Sequence, residues 1–403
     1  MGSAPAVSPS ASSPAPSPGR IVSLDALRGF DMFWIVGGHG ILVALLGFFV
    51  TPLPEWLNVQ IGHARWEGFT AWDLIMPLFL FVVGAAMPLA FAKRWERGDS
   101  LGSVYWRVLR RVAVLWVLGM AVQGHLLEAD RAWVHAFSNT LQAIAVGYLV
   151  ASILLIHLNV FGQVVATALL LVGYWLLMLL VPFGGQPAGA LQEKVNLARY
   201  LDDWILGPFG DGTTYTWLLS SMAFAAMVLM GVFAGHIVRS RWSGGMKILW
   251  LVLLGILALA AGWFWSGGFD GLERLGGMIF VGAWRFPIIK HLFTSSMVLW
   301  AAGWSYLLLA LFVLLFDVLR LRRLGFLFEV LGANAIFAYV ASGLFRGSFQ
   351  NVADVLLGGL LRYLGTLPAP MPAIGQALGP VATFAVLWLI LYYMYRKGTL
   401  LRV

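Results

Sequence analysis

Apolar stretches of about 20 residues, the length an α-helix needs to cross bilayer hydrocarbon, recur along this chain to its end. They fall at residues 27–50, 73–92, 108–127, 138–157, 163–183, 215–236, 248–266, 293–316, 327–347 and 378–396. The pattern predicts an all-α fold, a polytopic membrane helical bundle of about ten transmembrane helices. Before the first stretch, residues 1–19 contain only Ala, Ser, Pro, Gly, Val and Met, with no charge. That composition predicts a disordered tail. It has neither the basic start nor the apolar core of a signal peptide, so it is expected to stay cytoplasmic and uncleaved. Residues 20–403 then read as a single transmembrane domain.

The polar residues between the stretches set an orientation. Most of the 26 Lys and Arg lie in one set of loops: Lys93, Arg94, Arg97, Arg107, Arg110 and Arg111, then Arg239, Arg241 and Lys247, then Arg320, Arg322 and Arg323, then Arg396 and Lys397. Cytoplasmic loops attract such an excess, so both termini are expected in the cytoplasm and Gly62–Trp72 on the opposite side. The outer connections 51–72, 184–214, 267–292 and 348–377 are long and carry Pro, Gly, Trp and acidic residues. Long loops of that kind hold binding chemistry, which places an acceptor at the outer face. Within the last of them, Val352–Leu364 reads as a short interfacial helix. No internal repeat is visible.

Composition narrows the function classes. With 60% hydrophobic and 11% charged residues, the chain is too apolar for a soluble surface. It has no cysteine, which excludes disulfides, thiolate metal sites and cysteine nucleophiles. The net charge of +8 is accounted for by topology, so nucleic acid is not an expected partner. No Walker loop, HExxH or GxSxG motif occurs, and no metal site is expected.

Titratable chemistry concentrates in Gly62–Gly84, GHARWEGFTAWDLIMPLFLFVVG. His63 reads either as a general base or as an interfacial histidine bonded to backbone. Asp73, at the start of the second helix, reads as an N-terminal cap, as the group that orients His63, or as both. Trp72 fits an aromatic belt, while Trp66 fits either that belt or a sugar-stacking face. In the first helix Asp25, Arg28 and Asp31 are spaced to share a face, where Arg28 can pair with either carboxylate or hold an anionic ligand. Gly37, Gly38 and Gly40 allow close helix packing or room for a narrow ligand, and the intramembrane His39 beside them is a functional suspect unless a neighbour satisfies it. Arg107, Arg110 and Arg111 follow from topology, or bind the phosphates of a nucleotide-like cofactor.

Five blocks carry a resemblance. SLDALRGFDMFW (Ser23–Trp34), HARWEGFTAWDLIMPLFLFVVG (His63–Gly84), LQAIAVGY (Leu141–Tyr148), FPIIKHLFTSSMVLWAAG (Phe286–Gly303) and FEVLGANAIFAY (Phe328–Tyr339) occur in the order found in the heparan-α-glucosaminide N-acetyltransferase family. The chain resembles a bacterial member of that family, within the wider transmembrane acyltransferases. The resemblance implies transfer of acetyl from cytosolic acetyl-CoA, without a metal, to an amino sugar or glycan acceptor across a bacterial inner membrane. It implies His63 as the catalytic histidine of an H-x-x-W-x-G motif, and Asp73 and Asn334 as further polar site positions. Arg28, Arg107, Arg110 and Arg111 are then the expected donor-binding residues, and Trp66, Glu67 and Lys290 the acceptor-binding ones. Where lysosomal members have an asparagine after the first-helix apolar run, this chain has Gly37, Gly38 and His39. Membrane lipid is an expected partner, and a homodimer is left open. The alternatives are an O-acyltransferase of an envelope glycan and a non-catalytic transporter or flippase.

Overall fold

The structure, a computed structural model, describes residues 21–50, 52–123, 135–268, 284–368 and 371–401; the tail expected at 1–19 lies outside them. Among the described residues the regular elements are all helical, and β-pairing is limited to isolated bridges such as Glu67 with Ile289. The helices are α1 (Val22–Phe33), α2 (His39–Phe49), α3 (Glu55–Ile61), α4 (Ile75–Glu96), α5 (Leu101–Val122), α6 (Thr140–His157), α7 (Val160–Leu180) and α8 (Leu197–Ile205). They continue with α9 (Ser221–Arg239), α10 (Gly244–Ser266), α11 (Ser295–Phe312), α12 (Arg322–Ala333), α13 (Ala335–Leu344), α14 (Arg346–Thr366) and α15 (Met371–Arg396). Side-chain caps start several of them: Ser100, Asn139, Asn159, Asn196 and Ser243 each accept a backbone N–H of the first turn.

Among the described residues, eight helical segments are long and apolar enough to cross a membrane. A ninth is the pair α12 and α13, bent by 68° at Asn334. The 22-residue α5 is long enough too, but Arg107, Arg110 and Arg111 in its first half make it more charged than the rest. Every one of the ten predicted stretches therefore has its helix, and the chain is an integral membrane protein built as a polytopic helical bundle. One expectation changes. In place of a long loop with a short helix at Val352–Leu364, residues 346–366 form the full helix α14, packed along α15.

The centre of the bundle is α4, α9 and α11, whose segments are mostly buried, whereas α7, α10 and α15 are mostly exposed. Lipid is as apolar as leucine, so helices associate through close backbone approach at small residues. Gly84 of α4 faces the Val228 carbonyl of α9, and Gly231 and Gly235 of α9 face the Phe81 and Ala85 carbonyls of α4; a Cβ at any of the three would overlap backbone. Gly262 and Gly303 fit α10 to α11 in the same way, and Gly29 and Gly332 fit α1 to α12. Between α1 and α2 the helix widens into a π-turn over Trp34–Gly38, where Gly37 leaves helical dihedrals and Phe384 of α15 packs against it. α11 likewise runs on through a π-turn at Val313–Val318. The first of these interruptions borders the groove described below, where Trp34 forms part of the wall, as π-turns often do at functional sites.

Candidate active site

A short 3₁₀ turn, Ala71–Leu74, leads into α4 and carries Asp73 at its third position. Thr70 caps this turn reciprocally. The Thr70 hydroxyl meets Asp73 Oδ2 at 3.0 Å while the Thr70 N–H donates to the same oxygen at 3.1 Å. The Ala64 N–H adds a third donor to Oδ2 at 3.1 Å, and Thr70 also reaches the Gly62 carbonyl at 2.6 Å. One carboxylate oxygen thus folds Gly62–Leu74 back upon itself. The other, Oδ1, lies 2.7 Å from His63 Nδ1 and 3.2 Å from Lys290 Nζ. Capping and orienting, the two readings of Asp73, are compatible because its two oxygens divide them.

Asp73 is fully buried and the Lys290 side chain is 8% exposed, whereas the His63 side chain is 46% exposed. The carboxylate can only accept from Nδ1, which assigns the shared proton to that nitrogen and leaves Nε2 as the ring nitrogen that Asp73 does not engage. Lys290 Nζ also lies 3.1 Å from Nδ1. With Nδ1 protonated, that approach is an electrostatic contact, and the hydrogen bond of Lys290 goes to Asp73. Burial pushes the Lys290 ammonium below the ordinary lysine range, and Asp73 opposes that shift. Next to it, burial and then Lys290 push His291 down as well.

Lys290 is delivered by a laced loop. Thr294 Oγ1 donates to the Pro287 carbonyl at 2.7 Å and accepts the Ile289 N–H at 3.1 Å, and Phe293 holds a left-handed backbone with φ 53°. The two site loops are tied together where Gly68 N–H donates to the Ile288 carbonyl at 2.9 Å and Arg285 pairs with Glu67 at 3.1 Å. Trp66 donates through Nε1 to the Leu191 carbonyl and lies against the His291 ring. Asp202 of α8 accepts the Trp217 and Leu218 N–H groups, and its carboxyl is pushed up to about 6, first by burial. Thr216 in turn donates its N–H to the His291 carbonyl.

The opposite end of the bundle holds a cavity of about 590 Å³, within the range of small-molecule sites, roughly 300–1,000 Å³. Its mouth is cationic: Arg28, Lys93, Arg94, Arg97, Arg107 and Arg111 line it, with Asp25 as a carboxylate among them. Its interior is apolar, bounded by Phe79, Val83, Leu115, Leu141 and Ile144. Arg107 pairs with Asp99 at 2.6 Å, Arg28 with Asp25 at 3.5 Å, and the Arg111 guanidinium sits over the Tyr148 ring at 4.4 Å. Arg94 Nη1 and Arg111 Nε are buried donors with no hydrogen-bond partner among the described residues. Along α4, Phe79 at the inner wall is about 9 Å below Asp73 at the helical rise of 1.5 Å per residue.

The expected site residues therefore divide. His63, Asp73, Trp66, Glu67 and Lys290 gather at one end, with His63 and Lys290 both bonded to Asp73. Arg28, Arg107 and Arg111 line the cavity at the other end; Arg110, on the same helix, does not. Asn334 stands at the bend of α12 and α13, where its amide donates to the Thr399 carbonyl at 3.2 Å and accepts the Leu401 N–H at 2.9 Å. It is at the arginine end, next to Gly332, Ala333 and Ala335 of the cavity wall, and both ends of its amide are engaged. His39 is satisfied by the Ile61 carbonyl at 3.1 Å, and its ring packs tilted against Trp72 with centroids 4.4 Å apart. Asp31 does not share the Asp25–Arg28 face. Each three-residue step falls about 60° short of a full turn, so Asp31 ends up about 120° away from Asp25. Thr70, Lys93, Arg94 and Arg97 are contributors that motif reading missed. A Thr three residues before Asp73 at a helix start was a legible capping signal.

Fold and site together define an integral membrane protein with a carboxylate-oriented histidine at one end and a cation-rimmed cavity at the other. Residues 20–191 match a family described as Domain of unknown function (DUF5009). Over 344 residues the chain is 24% identical to heparan-alpha-glucosaminide N-acetyltransferase of Homo sapiens, an alignment covering 71% of this chain and 49% of that protein. The chain thus spans about half the length of the curated relative it matches, and the relationship to that family is a distant one. Together with the helical membrane bundle, it supports a transferase of the transmembrane acyltransferase kind.

Proposed function

We propose that this protein is a transmembrane acetyltransferase. It takes acetyl from cytosolic acetyl-CoA at the arginine end and passes it to an amino sugar or glycan at the extracytoplasmic His63 end, in a bacterial inner membrane. The observation that carries this reading is the cavity's polarity: a ring of cations at its mouth and an apolar interior that extends to Phe79, six residues along the chain from Asp73. Phosphates suit the guanidinium groups, above all Arg94 and Arg111 with their unpartnered donors. A thin, uncharged thioester arm suits Phe79, Leu115 and Leu141.

His63 then serves as general base. Its Nε2 takes a proton from the acceptor amine as the amine nitrogen attacks the thioester carbonyl carbon. The C–S bond breaks as the new C–N bond is completed, and the imidazolium returns the proton to the departing thiolate, giving amide and free thiol. Asp73 holds the ring in the tautomer that exposes Nε2, and Lys290 balances the buried carboxylate. A positioned base of this kind contributes about 10²–10⁴-fold. His63→Ala is accordingly expected to lower kcat for acetyl transfer by that factor while CoA binding, followed by calorimetry, stays within about twofold. A folded His63→Ala protein that binds CoA and transfers acetyl at the wild-type rate would remove the assignment.

A further inference from the structure

A second space, about 640 Å³, takes no part in the chemistry above. It lies between α1, α2, the Ala71–Leu74 turn and α11, and its walls are aromatic and aliphatic: Trp34, Trp72, Trp300, Trp304, Leu42 and Leu308. Trp304 is 41% exposed although it sits well inside the Ser295–Val318 span, so the groove opens sideways, into the depth where hydrocarbon lies. From Trp300 to Leu308 its wall runs about 12 Å along the helix axis.

Two observations point to an occupant more specific than bulk lipid. Asp31 lines the groove, is completely buried, and has no hydrogen-bond partner at either carboxyl oxygen among the described residues. A polar group left unpartnered at that depth is costly, and such groups are kept where something meets them. The upper rim, Thr70–Trp72, is also continuous with the His63 site: Thr70 is bonded to Asp73, and the Trp72 ring centroid is 6.4 Å from that of His63.

We infer that this groove binds the tail of a membrane-anchored acceptor. Its amino-sugar head emerges at the Thr70–Trp72 rim beside His63, and its tail carries a hydroxyl or amide N–H that bonds Asp31. The acceptor thus enters laterally from the bilayer, as an N-acyl or hydroxyacyl glycolipid, and not from the aqueous phase. The acceptor role and the amino-sugar head rest on the proposed transferase activity; occupancy of the groove by a tail that bonds Asp31 does not.

The test measures binding without acetyl transfer. Full-length protein in phosphatidylcholine nanodiscs is photolabelled with a diazirine-bearing glucosaminyl ceramide, which has both tail donors, and with a diazirine-bearing dodecyl glucosaminide, which has neither. The ceramide is expected to label peptides covering residues 30–42, 69–78 and 300–308. Asp31→Leu, and the smaller Asp31→Ala should the leucine variant misfold, both of which remove the acceptor oxygens, is expected to weaken ceramide capture by about tenfold and alkyl glucosaminide capture little. Labelling that maps elsewhere, is displaced equally by plain phospholipid, or is indifferent to both Asp31 substitutions overturns the inference. Because His63→Ala activity is read separately, wild-type acetyl transfer by that variant with groove labelling intact would sink the catalytic reading alone.

Discussion

The two ends of this bundle handle charge in opposite ways. Around His63, each of the central polar groups is held by another: Asp73 accepts from Ala64, Thr70, His63 and Lys290, and the surrounding loops are stitched by Glu67 with Arg285 and Gly68 with Ile288. At the cavity mouth cations outnumber their carboxylate partners, and buried guanidinium donors of Arg94 and Arg111 have no partner among the described residues. A knot satisfied from within is suited to fixing a base in one orientation. A ring of surplus donors is suited to an incoming anion.

The contrast can be broken most forcefully at its buried carboxylate. Asp73→Ala leaves Lys290 in a dry pocket without its counter-charge and is expected to cost about 3–5 kcal/mol of stability, read as a lower unfolding temperature. Removing both charges with Asp73→Asn and Lys290→Met is expected to recover most of that loss; no recovery would mean that the pair is not the source.

At the other end Arg111→Ala should leave thermal stability nearly unchanged and weaken CoA binding by about 1.5–3 kcal/mol, measured by calorimetry. Affinity equal to wild type would remove the anion assignment. A smaller effect concerns the loop that supports His291. With the Asp202 carboxyl pushed up to about 6, the native state holds a proton that the unfolded chain releases near pH 4. Its stabilising contribution is therefore present at acidic pH and lost as pH rises through 6. Asp202→Asn should abolish that slope, on the order of 2 kcal/mol, in unfolding scans between pH 4 and 7. The mildest test is Arg110→Ala, which lies outside the cavity wall and should alter CoA affinity by less than about 0.5 kcal/mol. A larger loss would enlarge the cation ring beyond the cavity described.

What was legible in the sequence follows the range of the forces involved. Each span could be read because crossing hydrocarbon requires a local, contiguous apolar run. The two duties of Asp73 could be foreseen as alternatives because a helix start and a nearby histidine are both local. The Lys290–Asp73 pair could not, since the loops are distant in sequence and meet only through packing of α4 against α11. Lys93, Arg94 and Arg97 read as topology alone because their nearness to Arg107 and Arg111 depends on the antiparallel turn between α4 and α5. Asp31 shows the limit of spacing arguments: two steps of three residues look like one face and end on another. The helix α14 was read too short because its Gly358, Gly359 and polar residues interrupt the apolar signal without interrupting the helix.

The clamp at Asn334 has a practical side. Since its amide grips Thr399 and Leu401 while Leu400 and Leu401 form part of the cavity wall, the segment 399–401 is a piece of the doorway. A fluorescent reporter or affinity handle joined directly behind residue 401 would hang in the path of whatever enters there. A loss of function in such a fusion would then report on the handle and not on the protein.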